Sequence, residues 1–396
     1  MLRTLKSFDI KGQTILIRLD LNVPIHNEVI QDDFRIRSCL PTINYCLDEG
    51  AAVVLISHLG RPKGKFNKDL SLMPVGEHLA SLLEIPIKFS LDCISQDAID
   101  TSLSLKPGEV HLLENLRFHK EESENDSLFS NKLSKHGRVY INDAFGTAHR
   151  AHASTSIIAQ FFPGNKCFGY LLEQEIISID KVLTSGEKPV LAILGGAKVS
   201  SKITIIENIL DKIDHLIIGG GMSFTFIKAQ GGAIGDSICE DDKMDLALDI
   251  LRLAKEKNVQ LHLPVDVLAA DDFSNSANTQ VVDITAIPSE WQGLDCGPKS
   301  KAIFHDVVQQ CKTILWNGPL GVFELDTFST GTKTLGDSIA EVTQNGAFSL
   351  VGGGDSVAAV KQFGFQNKVS YVSTGGGAML ESLEGKTLPG IAAINE

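Results

Sequence analysis

The chain has 396 residues, 43% hydrophobic and 21% charged, with 36 Lys and Arg against 49 Asp and Glu for a net charge of −13. Such a length exceeds what one hydrophobic core ordinarily supports, so two domains are expected. The acidic balance weighs against nucleic acid or an anionic membrane as a partner, and the longest purely apolar run, AAVVLI at 51–56, is too short to span a bilayer. The N-terminus lacks the apolar stretch of a secretory signal. Seven cysteines (39, 46, 93, 167, 239, 296 and 311) with no CxxC pair read as reduced cytoplasmic thiols, most of them buried and inert.

Short aliphatic runs alternate with helix-length segments, the pattern of βα units and parallel sheets. In the first half strands are predicted near 14–19, 51–56, 87–90, 109–113 and 138–143. In the second half they fall near 190–194, 215–219, 259–264, 313–318, 348–352 and 368–373. Helices between them include 33–49, 74–84, 200–211, 241–257, 329–342 and 355–363. The segment 168–186 has helical spacing, with Leu171, Ile176, Ile179 and Leu183 on one face, and is the candidate connector between domains. No fixed-period repeat or low-complexity stretch occurs.

The strand ends carry two chemistries. Early strands run into RLDLNVP (18–24), SHLGRP (57–62), ENLRFH (114–119) and NDAFGTAHRAH (142–152), which deliver Arg and His. Later ones run into LGGAKVSSK (194–202), GGGM (219–222), WNGPLGVFE (316–324), GGGDS (352–356) and STGGGAMLE (373–381). Of 35 glycines, 25 lie after residue 185. Ligands of open parallel sheets bind beyond the carboxyl ends of the strands. Guanidinium forks there suit a small phosphorylated anion, and glycine turns let backbone N–H groups approach nucleotide phosphates. The pairing points to phosphoryl transfer between two domains. Because the net charge repels anions, the basic residues must be gathered into a local patch.

Each motif has a plainer reading. A glycine after a strand is often only a turn or cap, and neither GxGxxG nor GxxxxGK[ST] occurs, so a nucleotide must be held another way. Lys198 and Lys202, four apart, are expected on one helical face at a positive helix end, which favours a bound anion over two solvated lysines. Asp355 of GGGDS could be a helix N-cap or, beside phosphates, a Mg²⁺ ligand. Glu324 could contact a ribose hydroxyl or be a solvated loop residue. Arg37 reads as a surface charge. His149 and His152 lack a third ligand with sensible spacing, which argues against a metal there.

Taken in order, these blocks, with LPVD (263–266) and GLDCGP (293–298), closely resemble those of the phosphoglycerate kinase family over essentially the whole chain. The resemblance implies an α/β fold of two doubly wound parallel-sheet (Rossmann-like) domains joined by a connecting helix. It implies a phosphoglycerate-binding domain at 1–167, the helix at 168–186, a nucleotide-binding domain at 187–375, and a tail at 376–396 that returns to the N-terminal domain. The implied reaction is reversible transfer between 1,3-bisphosphoglycerate and MgADP to give 3-phosphoglycerate and MgATP, in a cytoplasmic monomer. Mapped by motif, the substrate would be held by Asp20, Asn22, Arg35, His58, Arg61, Arg117 and Arg150. The nucleotide would be held by Gly195, Gly196, Lys198, Lys202, Gly220, Asn317, Glu324, Gly353, Gly354, Asp355 and Ser356, with Asp355 near Mg²⁺. Arg35, Lys198 and Lys202 would be catalytic. A two-domain dehydrogenase and a two-lobed anion-binding protein are the alternatives. Absence of GxGxxG weighs against the first, and the lysine pair with Asp355 against the second.

Overall fold

A computed structural model describes residues 2–396. The chain divides into two compact units, one running to Ile176 and taking in Thr387–Glu396, the other spanning Ile177–Lys386.

The first unit contains β1 (Thr14–Leu19), β2 (Ile25–His26), β3 (Val29–Ile30), β4 (Ala52–Ile56), β5 (Ile87–Ser90), β6 (Val110–Leu113), β7 (Val139–Asp143) and β8 (Lys166–Phe168). Six of these form a sheet in the order β5-β6-β4-β1-β7-β8, every pair parallel; β2 and β3 make a separate hairpin. The central strands are buried along nearly their whole length, which explains their unbroken aliphatic sequences. The winding reverses between β1 and β7, and a crevice at such a switch point is where ligands bind. The last helix of the chain, Pro389–Asn395, packs on this unit. Asn142 Nδ2 donates to Gly390 O at 3.0 Å, and Lys166 Nζ to Ala393 O at 2.7 Å.

The second unit contains β9 (Val190–Leu194), β10 (His215–Ile218), β11 (Ala233–Ile234), β12 (Gln260–His262), β13 (Asp266–Ala270), β14 (Thr279–Asp283), β15 (Ala286–Ile287), β16 (Gln292–Cys296), β17 (Thr313–Asn317), β18 (Phe348–Val351) and β19 (Tyr371–Val372). Its main sheet is parallel in the order β12-β10-β9-β17-β18-β19, so the winding reverses between β9 and β17. This is a Rossmann-like domain, and the whole is the two-domain α/β fold expected.

Other details depart from the sequence reading. Residues 264–296 hold an antiparallel sheet, β14-β13-β16, that the reading did not anticipate. Its strand β14 alternates exposed and half-buried residues, so little of it looks like core. The 168–186 segment is an α-helix at Tyr170–Asp180 that continues as a π-turn at Lys181–Ser185, and the division between units falls within it. Residues 377–386 group with the second unit rather than with the terminal helix; Asn208 Nδ2 holds Leu383 O at 2.7 Å.

Candidate functional site

In the first unit several strand ends meet. β1 delivers Asp20 and Asn22, β4 delivers His58 and Arg61, and the 3-10 turn after β6 carries Arg117. The segment after β7 carries Arg150, and Arg35 stands in the first turn of the helix Phe34–Asp48. Asp20 is buried and accepts from Arg35 Nη1 at 3.1 Å; the same nitrogen donates to Asn22 O, also at 3.1 Å. Asn22 Oδ1 accepts from Gly60 N at 2.9 Å, and Arg117 Nη1 donates to Gly60 O at 2.8 Å. One chain of contacts therefore fixes Arg35, the SHLGRP turn and Arg117 together. Arg61 is exposed, and Arg150 Nε donates to His149 Nε2 at 3.1 Å.

The sequence reading missed the group at the centre of this cluster. Arg18 lies one residue from the end of β1 with no exposed surface. Its Nε donates to Ser154 Oγ at 2.8 Å, an Nη1 hydrogen goes to Leu19 O, and Nη2 lies 3.3 Å from His58 Nδ1. Ser154 in turn donates through Oγ and N to the wholly buried Glu122, at 2.6 and 3.0 Å. The available signal was a cation inside an otherwise aliphatic strand, since such a charge must have buried partners.

Electrostatics make this pocket cationic. Burial, then Arg18, Arg117 and Arg35, hold His58 well below its ordinary pKa, so it is neutral. An arginine only donates, so His58 Nδ1 accepts and Nε2 carries the proton. Asp20 Oδ1, 3.9 Å from Nδ1, is therefore not its ion-pair partner at neutral pH. Arg117 is pushed down to about 10 by burial and by Arg18 and Arg150, and His152 to about 4 by burial and by Arg117, Arg18 and Arg150. Cations that repel one another in a desolvated cluster suit a bound anion.

In the second unit the glycine loops after β9, β10 and β17 meet at the switch point. Gly195 N donates to Asn317 O at 3.0 Å, Gly196 N to Pro319 O at 3.2 Å, and Met222 N to Gly196 O at 2.9 Å. Gly220 shows why no side chain is tolerated. Its φ is +67°, and a Cβ there would stand 2.8 Å from Gly196 N and 2.9 Å from Pro319 O. These loops border a cavity of about 630 Å³ whose lining includes Gly196, Gly220, Phe224, Leu320, Glu324 and Asp355. The antiparallel sheet supplies another wall through Val267, Leu294 and Asp295. Asp295 accepts from Gly331 N and Thr330 Oγ1, at 2.8 and 3.0 Å, and burial raises it to about 6.

The two lysines are not stacked on one helix. Lys198 is extended and exposed; a 3-10 turn at Val199–Ser201 intervenes, and the α-helix starts only at Ile203. Glu240 pins that turn through Ser200 Oγ and N, at 2.6 and 3.0 Å. Lys202 is half-buried and donates through Nζ to Asn317 Oδ1. Burial lowers its pKa, and the Asp355 charge opposes that shift.

Asn317 and Ser356 are buried and used internally. Asn317 Nδ2 donates to Gly352 O, and Gly318 N donates to Ser356 Oγ, both at 2.6 Å. Asp355 is not an N-cap; that position belongs to Gly353, at φ 95°, and Asp355 sits exposed in the first turn of the helix Gly354–Gln362. The N–H groups of a first turn lack intrahelical acceptors and offer an anion site. A free carboxylate beside it fits Mg²⁺, which takes one or two carboxylates plus phosphate oxygens. Glu324 is exposed at the cavity rim.

Among the described residues no helix is long and apolar enough to cross a membrane. The phosphoglycerate kinase family model matches residues 5–386. A phosphoglycerate kinase of Porphyromonas gingivalis is 51% identical, covering 99% of both chains. A chloroplastic phosphoglycerate kinase of Volvox carteri is 50% identical over 98% of this chain and 84% of its own. The solved phosphoglycerate kinase of Coxiella burnetii superposes with a TM-score of 0.92 at 42% identity, covering 100% of this chain and 99% of that one.

Proposed function

The chain belongs to the phosphoglycerate kinase family, a glycolytic transferase acting on 1,3-bisphosphoglycerate and ADP, and from that premise we propose how its own residues divide the reaction. The first unit binds 3-phosphoglycerate or 1,3-bisphosphoglycerate. Arg61, Arg117 and Arg150 neutralise the phosphate, His58 donates from Nε2, and Asp20 with Asn22 orients Arg35 toward the carboxyl end. The second unit binds ADP or ATP in the cavity between the glycine loops, with Gly195, Gly196, Gly220, Gly353 and Gly354 giving backbone access and Glu324 facing the ribose. Asn317 and Ser356 position Lys202 and the first turn rather than touching the nucleotide through their side chains. Asp355 holds the Mg²⁺ that arrives with the nucleotide, and that ion supplies charge neutralisation at the phosphates.

Transfer is direct and in line. Both nucleophiles, a carboxylate and a phosphate oxygen, are already ionised at neutral pH, so no general base is required. What the protein supplies is alignment and fixed positive charge, from Arg35, Lys198 and Lys202. The reacting groups must meet at roughly 3–3.5 Å, which calls for closure of the two units around their ligands and for exclusion of water from the acyl phosphate. Seven free cysteines, six of them buried, support a cytosolic setting; we take the chain as a monomer.

The observation that carries this reading is the division of labour: an arginine cluster at one switch point, glycine loops with a free carboxylate at the other. Nucleotide with an isotopically chiral γ-phosphoryl group tests the direct step. Inversion at phosphorus is expected, and retention would establish a phosphoenzyme. Small-angle scattering on the apo protein, with each ligand, and with both tests closure; an unchanged radius of gyration in all four states would refute it.

A further inference from the structure

We propose that Asp92, Cys93 and His119 form a binding site for a borderline transition cation of the Zn²⁺ class, separate from the nucleotide's Mg²⁺. Among the described residues one ligand atom from each lies within 4.8 Å of the other two. The three come from the ends of paired strands. Asp92 and Cys93 follow β5, the edge strand, which contributes nothing to the substrate cluster; His119 follows the 3-10 turn after β6, to which β5 pairs at Phe89↔Leu112 and Ser90↔Leu113.

The spacing of the His119–Asp92 pair already suits the ion. His119 Nε2 lies 3.3 Å from an Asp92 oxygen. Nitrogen and oxygen ligands at about 2.0–2.2 Å from tetrahedral zinc stand roughly 3.4 Å apart. An ordinary ion pair accounts for that contact alone, but not for a thiol placed against it. Thiolate, imidazole and carboxylate together suit Zn²⁺ and not Mg²⁺. The three residues are also held in place. Ile94 N donates to Asp92 Oδ1 at 2.9 Å, the His136 Nε2–H donates to Cys93 O at 2.9 Å, and the His119 ring packs 5.3 Å from Phe129.

Local charge favours a cation there. Burial above all, and then the charges of Asp92, Glu122 and Glu114, raise the Cys93 thiol and keep it protonated and inert without metal. A divalent ion reverses that balance, displacing the thiol proton to solvent as the S–metal bond forms. Access is one-sided: Cys93 is 1% exposed, whereas the Asp92 and His119 side chains are 44% and 26% exposed. The fourth position faces solvent and takes water. Occupancy would tie the end of the edge strand to the turn that carries Arg117.

The test is a titration of the chelator-stripped full chain, without nucleotide, first with Co²⁺ and then with Zn²⁺. One equivalent of Co²⁺ is expected to raise a thiolate-to-cobalt charge-transfer band with tetrahedral d–d absorption, displaced by Zn²⁺, and Zn²⁺ to raise the melting temperature by mass action. Both Cys93→Ser and His119→Gln should abolish the band, while Cys239→Ser keeps it. His119 is only half-buried, so His119→Gln decides the matter if Cys93→Ser does not fold. Absence of the band in the unmodified chain, or its survival in either variant, overturns the site.

Discussion

Arg18 and His58 meet 3.3 Å apart inside the first unit, and the contact sets which histidine nitrogen keeps the ring proton. Burial is the largest cause of the depressed His58 pKa and Arg18 the next. Replacing Arg18 with Met should therefore move His58 upward while leaving it below 6.5. Proton NMR titration of the ring resonances reads this directly; an unmoved His58 would show that Arg18 does not act on it. The variant also strands Ser154 and Glu122, a loss of order 3 kcal/mol in stability for a broken buried network.

Lys202→Ala removes a preorganised donor to developing charge. Such losses typically amount to roughly 3–4 kcal/mol, or about 10²–10³ in turnover. Turnover near wild type at saturating substrates would take Lys202 out of the catalytic set. Asn317→Ala, which frees the Lys202 ammonium from its tether, should lower turnover less.

For Asp355→Ala the discriminating quantity is Mg²⁺ dependence. Affinity for MgADP and MgATP should fall well beyond that for metal-free ADP, because the role proposed for the carboxylate is through the ion. Calorimetry with and without Mg²⁺ measures both. Equal losses in the two conditions would assign Asp355 to the helix start alone.

Asp143, at the end of β7, is fully buried, and burial raises its pKa from 3.8 to about 7 even though Leu172 N donates to Oδ1 at 3.0 Å. Its Oδ2 has no hydrogen-bond partner. A group whose pKa is raised on folding stabilises most below its unfolded value and loses that contribution as pH rises through the folded one. Asp143 should therefore cost stability progressively from about pH 4 to pH 7. Asp143→Asn removes the titration, so the variant should gain on the wild type as pH rises, by up to about 4 kcal/mol. Urea midpoints of both proteins across that range provide the measurement. A constant difference would mean that Asp143 titrates alike in the folded and unfolded chain, without the upward shift.

The parallel sheets were readable because their buried strands are continuous aliphatic runs, and the ligand edges because Arg, His and Gly cluster just past those runs. Arg18 was read only as one of the strand-end cations, because its partner Ser154 is 136 positions away and only the fold brings them together. Glu122, likewise, reads as one more acid in the charged stretch KEES until Ser154 is placed against it. The β13-β14-β16 sheet was missed for a different reason: its strands are as long as those of the parallel sheets, but β14 is half solvated, so its stability comes from packing that no local pattern reveals. The Lys198–Lys202 spacing misled because a helical face was assumed from Lys198, five residues before the α-helix begins.

The return of Pro389–Asn395 to the first unit bears on how the chain is made. Residues 177–386 form one uninterrupted stretch and can fold as soon as they have left the ribosome, as domains generally do during synthesis. The first unit cannot finish on that schedule, although most of it is translated earlier. Its bonds from Asn142 to Gly390 and from Lys166 to Ala393 span 248 and 227 positions and wait until the whole second unit has emerged. The unit translated first is thus the one completed last, and until then the surface around β7 and β8 stays uncovered, available to a chaperone or to misassembly.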